Sequence, residues 1–204
     1  MVLSKIEMNL SEPAVRAALR DAQKMHRLVA GLFGLPRQEA SFVYRVQVQG
    51  QRVNLYLYAG QPVERSRILP GMFLAGEREL SGWLASMQEE QLWSFDLLTM
   101  PFKKVPDGGN RNSRRRVLRT QEERVAWLNR KAAQNGFMIL DVQEFSGAKE
   151  SALHPAERGG RLYLDSYRYS GMLQINDVER FRLALQNGIG PGKAYGLGML
   201  LLKK

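Results

Sequence analysis

His26 and His154 are the only histidines in this 204-residue chain, and no other side chain has an unperturbed pKa near neutrality. His26 falls in a helical stretch. Val15, Leu19, Ala22, Met25, Val29 and Phe33 recur at helical spacing, and Ser11, Glu12 and Pro13 open the run. Asp21 can cap a second helix after a break near Arg20, which places His26 in that helix's second turn. Lys24 and Arg27 flank it. Cations beside an imidazole favour its neutral form and also attract phosphate, so the trio has the residue types for moving a proton at a phosphodiester. A histidine that only packs against its neighbours is the other reading. His154 stands beside Pro155 in a polar stretch and reads as structural or exposed.

Metal chemistry finds few ligands here. With no cysteine and two isolated histidines, a metal would need carboxylates, and Glu89-Glu90 and Glu122-Glu123 read as helix faces or first-turn acids. The expectation is a chain that uses no metal and no cofactor. The run Gly188-Ile-Gly-Pro-Gly-Lys-Ala-Tyr-Gly-Leu-Gly198 has five glycines in eleven residues. It fails as a P-loop, because Asn187 stands where the first glycine belongs and Ala194 where Ser or Thr belongs. It fails as a dinucleotide fingerprint because no long helix follows. The loop can still bring backbone amides close to phosphate, with Lys193 beside them, or it can simply pack between domains.

Charge supplies the next constraint. Thirty Lys and Arg against twenty Asp and Glu leave +10, which suits a polyanionic partner. Lys103, Lys104, Arg111, Arg114, Arg115, Arg116 and Arg119 lie within seventeen residues that hold one acid, Asp107, so this segment carries +6 of the total. The turn Asp107-Gly108-Gly109-Asn110 inside it predicts a projecting hairpin finger, whose guanidinium forks suit phosphates. A solvated charged face is the plainer alternative.

The surrounding elements alternate. Val2–Asn9 reads as a strand, and Phe42–Gln49 and Arg52–Ala59 as a hairpin around Gly50-Gln51. Residues 61–86 resist assignment beyond a short helix over Leu80–Met87, and Leu92–Phe102 returns to strand. In the second half Thr120 caps a helix that ends before Gly136. Strands over Phe137–Phe145 and Arg161–Ile175 flank a loop with Lys149 and Arg158. Asn176 or Asp177 then caps a helix stopped by Gly188, and Leu197–Leu202 ends the chain as a strand. The order predicts an α+β protein of two tandem ferredoxin-like (βαββαβ, RRM-like) domains with antiparallel sheets, over residues 1–90 and 91–204. The cysteine-free sequence fits a reducing, cytoplasmic setting, and no apolar run is long enough to span a membrane. Lys5 and Glu7 interrupt the apolar stretch that a signal peptide would need.

Three segments carry a resemblance. They are Met25-His26-Arg27; Arg116-Val-Leu-Arg-Thr-Gln-Glu-Glu-Arg-Val-Ala-Trp-Leu-Asn-Arg-Lys131; and Ser170-Gly-Met-Leu-Gln-Ile-Asn-Asp177 with the glycine-rich run that follows. Together they resemble the CasE family, the CRISPR RNA-processing endoribonuclease of the type I-E Cascade complex, within the RAMP superfamily. The resemblance implies two ferredoxin-like domains, binding of a CRISPR repeat RNA hairpin, and metal-independent cutting at the 3′ base of its stem. It also implies retention of the product as a Cascade subunit, with a monomer outside the complex. His26 takes the position of the catalytic histidine, and Arg27 and Lys24 are expected to stabilise charge beside it. The expected RNA contacts are Lys103, Lys104, Arg111, Arg114, Arg115, Arg116, Arg119, Lys149, Arg158, Arg161, Gly190, Gly192 and Lys193. Family members often carry tyrosine three residues before the histidine, where this chain has Gln23. Lys24, Tyr44, Tyr195 or nothing takes its place, and a non-catalytic RNA-binding subunit on the same fold is the alternative function.

Overall fold

The computed structural model describes residues 1–35, 41–107, 110–153 and 161–203, with backbone alone for 107, 110–115, 146–153 and 161–164. The first sheet is built from β1 (Val2–Met8), β2 (Phe42–Gln49), β3 (Arg52–Ala59) and β4 (Met72–Glu79), in the order β2-β3-β1-β4 with every pair antiparallel. Its cover is a helix pair, α1 (Pro13–Leu19) and α2 (Ala22–Gly31). Alternation along β1 sends Val2, Ser4, Ile6 and Met8 inward, and Ile6 and Met8 join Val15, Met25, Val29 and Leu57 in one core. The expected helix break is present. Asp21 caps α2 by accepting from the backbone N–H of Gln23 at 2.9 Å and of Lys24 at 3.3 Å.

β4 lies in the stretch the periodicity left unassigned. It is an edge strand in which only Met72 is buried and the residues after it are partly or fully exposed on both faces, so the apolar–polar alternation of a half-buried strand is missing. Between β3 and β4, where a ferredoxin-like module carries its second helix, stands only a 3-10 turn, Arg65–Arg67. The short helix α3 (Ser81–Ala85) follows β4 instead of preceding the module's last strand.

Next in chain order come β5 (Leu92–Thr99), β6 (Phe102–Asp107), β7 (Asn110–Val117) and α4 (Gln121–Gln134), then β8 (Phe137–Leu153), β9 (Arg161–Ile175), α5 (Val178–Asn187) and β10 (Leu200–Lys203). The second sheet runs β10-β5-β9-β8, again antiparallel. The expected strand over 92–102 is two strands, because Met100-Pro101 ends β5 and starts the β6–β7 hairpin, which forms its own two-stranded sheet. β8 extends past Phe145 to Leu153, so Lys149 stands on a strand opposite Asp165 and not in a loop. The final strand begins at Leu200, three residues later than expected. Thr120 and Asp177 cap α4 and α5 through their side chains.

The two modules share a core. Val43 and Tyr58 turn away from the helices of the first sheet and pack with Leu97, Trp127 and Phe181 of the second, while α5 lies against β2 and β3. No helix among the described residues is long and apolar enough to cross a membrane.

Candidate active site

His26 is half-buried on α2, and its ring faces the edge strand β2. The imidazole centroid lies 5.5 Å from the Phe42 ring and 6.4 Å from that of Tyr44, which stacks with it at 28°. Tyr44 is buried, and its hydroxyl donates to the carbonyl of Ala194 at 3.0 Å. Ala194 belongs to the 3-10 turn Lys193–Tyr195 in the glycine-rich loop, and α2 packs against that turn and against β8. The histidine therefore sits where the first module meets the loop of the second. Arg27 and Lys24 are both exposed. At about 100° per residue, Arg27 is the near neighbour of His26, while Lys24 lies roughly 200° around the helix. As a substitute phenol, Tyr44 gives its ring to His26 but commits its hydroxyl to Ala194; Tyr195 is partly exposed in the same turn.

All five glycines of the loop have positive φ. At Gly190 (φ 83°) a Cβ would lie 2.5 Å from Thr99 Oγ1 and 2.9 Å from Cη2 of Trp127, both fixed in the second core. A Cβ at Gly192 would meet Leu197 Cδ1 at 2.7 Å. Neither position has room for a side chain, and the cation of the loop is Lys193. Partial desolvation and then the neighbouring Lys131 hold its pKa below the usual lysine value.

Lys193 lines a groove of about 560 Å3 together with Lys104, Arg130 and Lys131, above Trp127 and Phe102. No carboxylate is among the lining residues. Lys104 comes from the basic hairpin, whose register sets Lys103 opposite Arg116 and Lys104 opposite Arg115. Asp107 pairs with Asn110 across Gly108-Gly109, which lie outside the described residues. Like charges directly opposed across a ribbon are destabilising unless an anion lies between them. Glu123 supplies one for Arg116 at 3.0 Å, and it also accepts from the Arg119 backbone N–H at 3.1 Å. The base of the hairpin is clamped further by Arg124. Its Nε and Nη2 donate to both oxygens of Glu144, at 2.9 and 2.6 Å, and its Nη1 donates to the Arg119 carbonyl at 2.8 Å. The guanidinium also lies 4.1 Å above the Tyr167 ring.

Of the other expected RNA contacts, Lys103 and Arg119 are exposed at the finger. Arg111, Arg114 and Arg115 have their backbone on β7, and Lys149 and Arg161 theirs on β8 and β9; the side chains of all five lie outside the described residues, as do Arg158 and His154 entirely. Arg130 and Lys131 were not anticipated, although the Arg-Lys pair on the α4 helix was visible as charge. Nor was Asp96, which binds buried Arg45 from the first sheet and accepts from Nε of Arg168 at 2.7 Å. No periodicity signals a contact fifty residues apart. Among the described residues, no group of three or more His, Cys, Asp or Glu side chains gathers as a metal site would.

Two ferredoxin-like modules with an imidazole at their seam, and a carboxylate-free basic groove that shares Lys104 with the basic ribbon, define the class of the fold and its candidate site. Over residues 1–204 the chain matches the family described as CRISPR associated protein, and it belongs to that family. It is 31% identical over 124 residues to the CRISPR-associated endoribonuclease Cse3 of Thermus thermophilus, an alignment covering 56% of this chain and 57% of that protein. Over 100 residues it is 31% identical to the Cascade subunit CasE of Escherichia coli, covering 49% and 48%. The aligned part of the chain thus spans about half the length of these two relatives. The structure of CRISPR endoribonuclease Cse3 bound to a 19-nucleotide RNA superposes with a TM-score of 0.88 over 100% of both chains at 24% identity, which establishes the shared fold. The resemblance read from the three sequence segments and the expected tandem fold are both borne out.

Proposed function

We propose that this chain is a metal-independent endoribonuclease that binds a CRISPR repeat RNA hairpin, cuts precursor RNA at the 3′ base of the stem, and remains bound as a subunit of a cytoplasmic type I-E Cascade complex. The observation that carries this reading is the placement of His26 at the seam, stacked on a tyrosine that is bonded to the turn bearing Lys193. It agrees with the names of the two relatives.

The chemistry follows from RNA itself. The 2′-hydroxyl oxygen attacks the adjacent phosphorus, the bond from phosphorus to the 5′-oxygen breaks, and a cyclic 2′,3′-phosphate and a 5′-hydroxyl result. His26 accepts the 2′-hydroxyl proton, and the departing 5′-oxygen, on the far side of the phosphorus, takes its proton from water. Arg27 and Lys193 stand on the two sides of the seam and offset the extra negative charge on the phosphoryl oxygens. Lys24 lies farther around the helix and contributes as a longer-range cation. Duplex RNA is recognised mainly by shape and backbone, which suits the finger and groove.

The deciding experiment is cleavage of labelled repeat hairpin in EDTA by the wild type and by His26→Ala. The expected result is wild-type cutting with 5′-hydroxyl and cyclic phosphate ends, and a loss of at least ~10²-fold in the variant at similar hairpin affinity. Gln23, standing where relatives often have tyrosine, is the observation favouring a non-catalytic RNA-binding subunit. Tight binding without cutting by the wild type would select that reading.

A further inference from the structure

A second cavity, of about 420 Å3 and open to solvent, lies beside His26 and has no role in the chemistry above. Ala22 and Met25 of α2, Tyr44 and Val46 of β2, Leu98 of β5 and Tyr195 of the glycine-rich loop form its walls, and exposed Arg20 stands at its lining where α1 meets α2. Tyr44 is the shared partition, because its ring lines this cavity and also stacks with His26. The walls are aliphatic and aromatic, with one guanidinium. The volume lies in the ordinary range for small-ligand sites, about 300–1,000 Å3.

The reaction itself creates a need for such a cavity. Attack by a 2′-oxygen requires that oxygen, the phosphorus and the departing 5′-oxygen to lie nearly in line. Regular A-form stacking does not provide that alignment, so the nucleotides on either side of the scissile phosphate must be splayed apart. An unstacked base exposes its apolar faces to water unless a site receives it, and aromatic side chains are the usual receivers. We infer that the cavity walled by Tyr44 and Tyr195 receives the base of a nucleotide adjoining the scissile phosphate, holding the backbone in the geometry for in-line attack at His26. Tyr195 is the stacking residue and Arg20 is placed to contact the phosphate of the same nucleotide. The cavity spans both modules, so a base seated there also presses α2 toward the loop that carries Lys193.

This rests on the endoribonuclease reading, and the test separates the two. Cleavage of the intact hairpin by the wild type first locates the scissile phosphate; no cutting at all overturns the function, not the pocket. Two further hairpins then carry an abasic nucleotide immediately 5′ or 3′ of that phosphate. Under single-turnover conditions at saturating protein, one of them should be cut roughly tenfold or more slowly by the wild type, with hairpin affinity nearly unchanged. Ala22→Phe and Val46→Phe, which fill the cavity from separate elements, should cut the intact hairpin slowly and lose the distinction between intact and abasic RNA. Equal cutting of all three hairpins by the wild type overturns the proposal, and this needs no variant to fold. So does a filled variant, shown by its unchanged hairpin affinity to be folded, that still discriminates as the wild type does.

Discussion

The Tyr44 hydroxyl donates to the Ala194 carbonyl at 3.0 Å, joining the edge strand of the first sheet to a loop 150 residues farther along the chain. The next residue, Arg45, points to the opposite face of the same strand and ends on Asp96 of the second sheet. Two consecutive side chains thus fasten the modules on both faces of one strand. Because the Tyr44 ring also backs His26, the position of the imidazole is tied to the glycine-rich loop.

Tyr44→Phe keeps the ring against His26 and removes only the bond to Ala194. Stability should fall by about 0.5–1.5 kcal/mol, the net worth of one hydrogen bond. Single-turnover cleavage should slow several-fold, while hairpin affinity holds. If the phenol were itself a proton donor the loss would approach ~10²-fold, so the rate measured at saturating protein separates positioning from proton transfer.

Glycine substitutions in the loop should divide by neighbour. Gly190→Val places a branched side chain against Thr99 and Trp127 at a φ of 83°, so overpacking and a left-handed backbone add to several kcal/mol, on the order of 2–5. That is a sizeable part of ordinary net stability, and the melting temperature should fall by roughly 4–20 °C. Gly196→Ala carries the left-handed strain as well, at a φ of 77° and a cost of about 1–2 kcal/mol, but its methyl also comes within 3.0 Å of Tyr44 Cε2, so cleavage should fall further than the loss of stability accounts for. Thermal denaturation and single-turnover cleavage of both variants check the contrast.

Replacing Arg114, Arg115 and Arg116 together by alanine should weaken hairpin binding and flatten its dependence on salt, because fewer counterions leave the RNA per complex. Cleavage at saturating protein should survive better than cleavage at limiting protein, the reverse of His26→Ala. An unchanged salt slope across several ionic strengths would assign the ribbon to solvent.

The Lys193 ammonium loses its proton at a lower pH than an ordinary lysine, through desolvation and then Lys131. As pH rises, the free protein gives up this charge earlier than an ordinary lysine would, so hairpin affinity should begin to fall below the usual lysine range. A bound phosphate opposes the loss by favouring the charged form. Lys193→Arg, whose guanidinium stays protonated, should bind with a flatter alkaline profile. Affinity titrated from pH 7 to pH 10 for both proteins reads this out.

Much of the molecule is legible in its sequence. Helix caps at Asp21, Thr120 and Asp177, the break before α2, the Gly50-Gln51 hairpin and the basic ribbon are set by short-range rules, since a cap or a tight turn depends on residues within a few positions of one another. The candidacy of His26 was legible for the same reason, its neighbours in sequence being cations. The exposed edge strand β4 was not, because beyond Met72 both of its faces meet solvent, which leaves no alternation to announce a strand. Nor were the Tyr44 partition, the Asp96 link between Arg45 and Arg168, the Arg124–Glu144 clamp or the meeting of Lys104, Arg130, Lys131 and Lys193 in one groove. Each joins residues from elements far apart in sequence, so it exists only once two sheets have packed. Local chemistry singled out the candidate residue, and the packing of one module on the other decided what stands beside it.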